Sequence, residues 1–168
     1  MIKIFNKNQF FYIGIFVAIC GIALDLTTKN LVYYYLHNFN DFNILQYNRI
    51  DVFSFFSLTY VNNNGISFGM FNQIKNAREI FALLQGSIAL ILIFWLWKCQ
   101  KKHLSIAIGL IIGGAFGNVF DRILNGGVTD FLDFHLGSYH WPAFNIADSI
   151  IFIGVAIILF DEFFVKKS

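Results

Sequence analysis

The chain has 168 residues, of which 57% are hydrophobic and 13% are charged, and its formal net charge is +2. Typical soluble domains carry about 25% charged residues. The 12 basic and 10 acidic residues are therefore too few to coat a soluble globule, and the apolar content excludes an intrinsically disordered chain. The small net charge gives no indication of nucleic-acid binding. The composition places this protein in a membrane.

Four segments, taken in chain order, are apolar over about the 17–25 residues that a helix needs to cross a bilayer. They cover residues 8–25, 79–97, 104–122 and 145–164. Because a segment in lipid must satisfy its own backbone hydrogen bonds, we expect four transmembrane helices in a single domain over residues 1–168. The first segment lacks the small-x-small cleavage site of a secretory signal peptide, so we interpret it as a retained helix.

Between the first two spans, residues 52–61 are β-branched and aromatic and partly alternate in polarity. This pattern is typical of a strand or a short hairpin, and the segment is too short to cross a bilayer. Aromatic rings partition well into the membrane–water interface, so we expect this segment to lie against the membrane surface.

The distribution of lysine predicts the orientation of the spans, because basic residues are enriched in the cytoplasmic loops of membrane proteins. Seven of the 12 basic residues flank the spans on one side, namely Lys3, Lys7, Lys98, Lys101, Lys102, Lys166 and Lys167. We therefore expect both termini in the cytoplasm and residues 30–78 and 122–144 on the outer side.

The cysteine and histidine residues give no sign of a cofactor site. Cys20 and Cys99 are far apart and belong to no CxxC or His/Cys cluster, so neither a disulfide nor a zinc site is indicated. The four histidines, at positions 37, 103, 135 and 140, are scattered along the chain, and we interpret them as single polar surface groups. No metal and no other cofactor is expected.

Ionisable side chains at membrane depth are costly, so each is by default a candidate functional residue. Most of them gather at the outer ends of the predicted spans, together with three asparagines. The candidates are Asp25, Lys29, Asn63, Asn118, Asp121, Arg122, Asp130, Asp133, Asn145 and Asp148.

Some of these residues also have a structural explanation. Asn145 is a suitable N-cap for the fourth helix, where Asp148 would complement the helix dipole. Capping does not explain why a charge stands at the edge of a hydrocarbon-facing segment, since Ser or Gln would bind the same N–H. Asp121 beside Arg122 fits either an ion pair that closes the third helix or a group that orients a substrate backbone.

Asp130 and Asp133 follow Gly126-Gly127, which predict a tight turn and then an extended segment. Asp133 is equally well explained as a solvated loop residue. Two carboxylates brought together at a partly dry membrane edge cannot both ionise cheaply, so such a pair shares one proton. One carboxylate then activates water, and the other protonates the leaving amine. This is the arrangement that acid–base hydrolysis of a peptide bond requires.

Four blocks, in this order along the chain, resemble the lipoprotein signal peptidase (type II signal peptidase) family. They are Asp25-Leu26-Thr27-Thr28-Lys29, Asn63-Asn64-Gly65-Ile66-Ser67-Phe68, the stretch Gly117–Asp133, and Phe144–Ser149. Each block is weak alone, but four in order on four spans form a specific pattern. Two departures stand out. Leu26 occupies a position where Gln is frequent in the family, and Asn62 competes with Asn63 for one supporting position.

The resemblance implies an aspartyl endopeptidase of the bacterial inner membrane, with its active site near the outer face. Members cut the signal peptide from diacylglyceryl-modified prolipoproteins before the lipid-modified Cys. The implied catalytic pair is Asp130 and Asp148. The implied supporting residues are Asp25, Lys29, Asn63, Asn118, Asp121, Arg122 and Asn145. No cofactor and no obligate protein partner is implied besides the prolipoprotein substrate and membrane lipid.

The implied fold is an all-α polytopic membrane protein with four transmembrane helices and a small extracytoplasmic β-cradle at the membrane surface. Residues 52–61 and the segment after residue 125 would supply the cradle. Two other functions are compatible with the pattern of charges. One is a proton-coupled transporter or channel subunit that uses the intramembrane carboxylates. The other is a non-catalytic membrane scaffold, in which the polar residues serve as caps and ion pairs.

Overall fold

A computed structural model of the chain describes residues 6–38, 49–63, 65 and 76–165. The described residues form four α-helices and four β-strands. The helices are α1 (Asn6–Asn38), α2 (Ala77–Lys98), α3 (Lys102–Asn125) and α4 (Ile146–Phe160), and the strands are β1 (Arg49–Phe53), β2 (Phe56–Asn63), β3 (Val128–Leu136) and β4 (Tyr139–His140). A π-helical turn, Asp161–Val165, continues α4.

Helices α1, α2 and α3 are each long and apolar enough to cross a membrane, judged by length and composition. Helix α4 is apolar but has 15 residues, which is short of the roughly 17 that a crossing needs. The structure therefore supports a mostly helical membrane protein with three candidate spans. The π-helical turn after α4 lies inside the fourth predicted span.

Helix α1 extends beyond the predicted span, residues 8–25, and runs unbroken to Asn38. Asp25 and Lys29 lie four residues apart on one helix face, and their side chains form an ion pair at 2.7 Å. Because each charge neutralises the other, the pair does not end the helix. The extension beyond it carries three exposed tyrosines, Tyr33, Tyr34 and Tyr35.

Helix α3 lies at the centre of the bundle and packs against α1, α2 and α4. Small residues let the neighbouring backbones approach closely, which is the usual way in which helices pack in lipid. At Gly113, a Cβ atom would lie 2.8 Å from the carbonyl oxygen of Ala18 in α1. At Gly117, a Cβ atom would lie 2.6 Å from Oδ2 of Asp25. The glycines of α3 thus fix how near α1 stands.

Side-chain contacts near Lys101 hold together the end of α2, the start of α3 and the end of α4. Leu96 and Cys99, at the end of α2, are buried against Ile108 and Ile112 of α3. Asp161, just after α4, forms ion pairs with Lys101 at 2.9 Å and with His103 at 2.7 Å. These contacts hold the three helices together on the side opposite the sheet.

The four strands form one antiparallel sheet in the order β1-β2-β3-β4. Strands β1 and β2 confirm the hairpin predicted for residues 52–61. Gly126 ends α3 with φ of +80°, a conformation that favours glycine, and β3 follows at once. This confirms the turn and extended segment predicted after residue 125. Strand β3 pairs Asp130 with Val61 of β2, so the sheet carries this carboxylate to the helix ends.

Candidate active site

Asp148 stands at the start of α4, where a capping box begins the helix. The Asn145 side chain accepts a hydrogen bond from the Asp148 backbone N–H at 2.9 Å, and Oδ2 of Asp148 accepts from the Asn145 N–H at 3.4 Å. The structural explanation for these two residues is therefore correct, but incomplete. The other carboxylate oxygen, Oδ1, accepts a hydrogen bond from the amide of Asn118 in α3 at 2.9 Å.

Asp130 lies on β3 and is 5% exposed. Its Oδ1 accepts a hydrogen bond from the Asn145 amide at 2.7 Å, and its Oδ2 accepts one from the Asn63 amide at 3.0 Å. Asn62 is exposed, so the structure places Asn63 beside the carboxylate. Burial, together with the charge of Asp148, raises the pKa of Asp130 to about 7, although the two amide donors act to lower it.

Asn145 therefore contacts both carboxylates of the predicted pair. Its side-chain amide donates to Asp130 and its backbone N–H donates to Asp148. Asn145 can donate to both carboxylates at once only if its side chain and backbone are held in one orientation. The capping of α4 supplies that constraint. The two residues predicted from the sequence to act together are thus brought to opposite sides of one asparagine.

Lys29 is buried at the centre of a second group of charges. Its ammonium lies 2.7 Å from Asp25 and 3.2 Å from Asp121, and it donates a hydrogen bond to Oδ1 of Asn118 at 2.9 Å. The exposures of Lys29, Asp25 and Asp121 are 3%, 0% and 0%. Buried charges are tolerated only when they are paired in this way.

The two aspartates of this group also hold the backbone on either side of the predicted pair. Asp25 accepts a hydrogen bond from the N–H of Ala147 at 2.9 Å, and Asp121 accepts one from the N–H of Thr129 at 2.7 Å. Ala147 directly precedes Asp148, and Thr129 directly precedes Asp130. Asp25 in α1 and Asp121 near the end of α3 thus fix where both carboxylates are presented. Of the two interpretations of Asp121 and Arg122, the structure does not support an ion pair between them that closes α3, because Asp121 pairs with Lys29.

Arg122 faces α2 and is 4% exposed. It donates hydrogen bonds to Oε1 of Gln85 at 2.7 Å and to the carbonyl oxygen of Gly65 at 3.0 Å. It lines an apolar cleft of about 600 Å³ between α2 and α3, on the side of the bundle near the sheet. Gln85 was not predicted from the sequence, because the candidates were ionisable groups and asparagines at the span ends. The sequence does contain an indication of its role, since an amide in the middle of an apolar span is unusual.

This chain is similar to proteins of a known family. A family model described as signal peptidase (SPase) II matches residues 17–164 of this chain. The chain belongs to the signal peptidase II family. The lipoprotein signal peptidase of Vibrio cholerae serotype O1 is 48% identical over 124 residues, which are 72% of each protein. That of Aquifex aeolicus is 33% identical over 165 residues, covering 97% of this chain and 92% of the relative.

Among solved structures, a bacterial membrane enzyme determined by the in meso method at 1.9 Å resolution superposes with a TM-score of 0.73. It is 28% identical, and the match covers 90% of this chain and 92% of that one. The resemblance predicted from the four sequence blocks is confirmed. The alternative of a transporter or channel subunit receives no support from these relatives.

One predicted candidate of this signal peptidase II family member, Asp133, lies outside the group of residues around Asp130 and Asp148. Asp133, in β3, faces a polar cluster on the sheet, where it contacts His140 at 2.9 Å and Arg49 at 3.7 Å. His135 and His140 stack with their ring centroids 4.9 Å apart, so the interpretation of each as a single surface group is wrong. In the part of the chain that the structure describes, no three His, Cys, Asp or Glu side chains are grouped as metal ligands.

Proposed function

We propose that this protein is an intramembrane aspartyl endopeptidase that removes signal peptides from diacylglyceryl-modified prolipoproteins, cutting before the lipid-modified Cys. The observation that carries the proposal is the contact of Asn145 with both Asp130 and Asp148. Membership of the signal peptidase II family supports the substrate class. The lipoprotein signal peptidase names of the relatives from Vibrio cholerae and Aquifex aeolicus agree with it.

In the proposed mechanism the two carboxylates share one proton, since like charges in close proximity are costly. In this proposal Asp130, whose pKa is raised to about 7 by burial, holds the shared proton and acts as the acid, and Asp148 acts as the base. Asp148 takes a proton from water as the water oxygen attacks the scissile carbonyl carbon. Asp130 donates a hydrogen bond to the carbonyl oxygen. As the C–N bond breaks, Asp130 transfers its proton to the leaving amine, and the proton that Asp148 took from water then passes to Asp130.

The remaining candidates act as supports in this proposal. Asn63, Asn118 and Asn145 direct the two carboxylates through their amides. Asp25, Lys29 and Asp121 hold the backbone that precedes each carboxylate. Arg122 holds the substrate backbone, because it lines a cleft that opens between α2 and α3. Holding the substrate in the reactive geometry is itself a large part of catalysis.

We further propose four transmembrane helices in a single domain over residues 1–168. The 15 residues of α4 and the 5 of the π-helical turn extend together over about 30 Å at the rise of an α-helix, enough for the hydrocarbon core. The lysines between α2 and α3 support a topology in which the end of that turn and both termini face the bacterial cytoplasm. The sheet, with exposed Phe53, Phe55 and Trp141, lies against the outer surface of the inner membrane.

The experiment that tests the function is a cleavage assay on one purified, diacylglyceryl-modified prolipoprotein, read as a mobility shift on a gel. Asp130→Asn and Asp148→Asn keep the size of the side chain and remove the titrating carboxyl. Each should insert and fold, and each should leave the substrate uncut. Asp133→Asn is the matched control, because Asp133 lies on the same strand but contacts the polar cluster of the sheet.

Normal cleavage by either variant of the pair would contradict the assignment of the dyad. A chelator should leave the rate of the wild-type enzyme unchanged, because the proposed chemistry needs no metal ion. Loss of activity on chelation, restored by added metal, would require a different mechanism. Failure of the wild-type protein to cut any lipid-modified prolipoprotein would overturn the proposed function.

A further inference from the structure

Gln85 is an amide side chain in the middle of an apolar helix. Ser87 is the one other side chain of α2 with an amide or hydroxyl group. An amide that leaves water without a hydrogen-bond partner has a high free-energy cost, so its position in such a helix requires a compensating contact. Gln85 has this contact, since its Oε1 accepts a hydrogen bond from Nη1 of Arg122 at 2.7 Å.

The Arg122 guanidinium is held at both of its terminal nitrogens. Nη1 binds Gln85 on α2, and Nη2 donates to the carbonyl oxygen of Gly65, which lies just after β2. Because the guanidinium is planar, two such contacts fix its orientation. Its Nε is buried and has no hydrogen-bond partner among the described residues. The buried, oriented cation therefore keeps hydrogen-bond capacity for another acceptor.

Three carboxylates attract Arg122 away from α2. The charges of Asp148, Asp130 and Asp121 all act on the guanidinium. Charges attract strongly where water is excluded, so an unrestrained Arg122 would turn towards these carboxylates and block the dyad. Gln85 is neutral and lies on the opposite helix. Its carbonyl oxygen keeps the cation on the α2 side without adding another negative charge.

We propose that Gln85 is a positioning residue of the peptidase, which holds Arg122 at the wall of the cleft so that its guanidinium donates to a backbone carbonyl of the bound signal peptide. The inference rests on the proposed function, because it concerns how Arg122 serves that same site. An arginine held beforehand in its binding orientation loses little conformational freedom when the substrate arrives.

The test uses two variants of Gln85. Gln85→Leu removes the acceptor at similar volume and suits an apolar helix, whereas Gln85→Glu keeps an acceptor for Arg122. The dissociation constant for a diacylglyceryl-modified prolipoprotein is measured in the uncleaving Asp148→Asn background, and KM and kcat are measured with Asp148 present. Leu84→Met is the matched control, because Leu84 is the preceding residue of α2 and is 54% exposed.

Gln85→Leu should raise the dissociation constant and KM about tenfold and change kcat less, as expected for losing a hydrogen bond to a charged group. Gln85→Glu should bind within about twofold of the wild type, and Leu84→Met should match it. Wild-type binding by Gln85→Leu overturns the positioning role and leaves the peptidase function standing. Weakened binding that Gln85→Glu does not restore, with a lowered thermal midpoint, would show a structural role instead. Absence of cleavage by the wild type contradicts the function itself.

Discussion

The ammonium of Lys29 donates a hydrogen bond to Oδ1 of Asn118, and this contact decides which way the Asn118 amide faces. A lysine side chain can only donate, so it binds the oxygen of the amide and leaves the nitrogen to point away. That nitrogen donates to Oδ1 of Asp148. A residue of α1 thus determines what the Asp148 carboxylate contacts in α3, although Lys29 does not itself bind Asp148.

Replacing Lys29 should damage stability and activity together. Lys29→Met leaves Asp25 and Asp121 as buried carboxylates without their cation, so we expect a loss of about 3–5 kcal/mol and a much reduced cleavage rate. Thermal unfolding in detergent measures the first effect. The triple variant with Asp25→Asn and Asp121→Asn carries no buried charge at this position, and it should recover part of the lost stability. Equal stability of the single and triple variants would contradict the electrostatic explanation.

Two variants of Asn145 should separate its capping role from its contact with Asp130. Asn145→Ser keeps a good N-cap, but its hydroxyl is too short to replace the amide contact. We expect it to fold with near wild-type stability and to cut at least about 100-fold more slowly, consistent with loss of a preorganised donor. Asn145→Ala should also lose about 1 kcal/mol of stability. The prediction fails if Asn145→Ser retains full activity.

The raised pKa of Asp130 predicts a pH dependence of stability. Its pKa is 3.8 in an unfolded chain and about 7 in the folded protein. The folded state therefore binds more protons than the unfolded state between these values. Stability should be greatest at the acidic end, fall as pH rises towards 7, and change little through this group above that. Thermal midpoints across this range should show the slope, and Asp130→Asn should reduce it. An unchanged slope in Asp130→Asn would assign the titration to another group.

Helix packing gives a prediction that is independent of the chemistry. A Cβ atom on Gly113 would press against the backbone of Ala18, so Gly113→Ala should cost about 1–3 kcal/mol and separate α1 from α3. Gly86 in α2 has open space around it, so Gly86→Ala should be neutral or slightly stabilising through helix propensity. Thermal midpoints of the two variants make the comparison. Equal effects would show that the close approach at Gly113 does not limit stability.

The charge pattern in the sequence was sufficient to gather the candidates for a site, because intramembrane charges are rare, and the family resemblance singled out Asp130 and Asp148 among them. Asp130 and Asp148 were predicted to act together, and the structure places both against Asn145. The sequence could not show which donors hold each oxygen, because those partners come from distant segments. Asp133 illustrates the limit. It lies three residues from Asp130, yet it faces His140 and Arg49 on the sheet.

The remaining differences have physical causes. Helix α1 continues past its predicted span, residues 8–25, because pairing with Lys29 removes the cost of carrying Asp25 along the helix. Gln85 was overlooked because it is neutral and lies inside a span, whereas the candidates were sought among the polar groups at the span ends. Its importance depends on Arg122 lying opposite, which only the packing of α2 against α3 reveals.

Because α1 runs without a break from Asn6 to Asn38, its residues indicate how deep the candidate active site lies in the membrane. Tyr33 lies roughly two helical turns, or about 12 Å, beyond Asp25, and tyrosine side chains favour the level of the lipid headgroups. The bond from Ala147 to Asp25 puts the start of α4 at the same level as that carboxylate. In the proposed topology, the peptide bond is therefore cut beneath the headgroups. Cleavage leaves a new carboxylate at the C-terminus of the signal peptide, at a depth where charge is poorly solvated. The free-energy cost of this buried charge favours movement of the peptide towards water, which empties the active site for the next turnover.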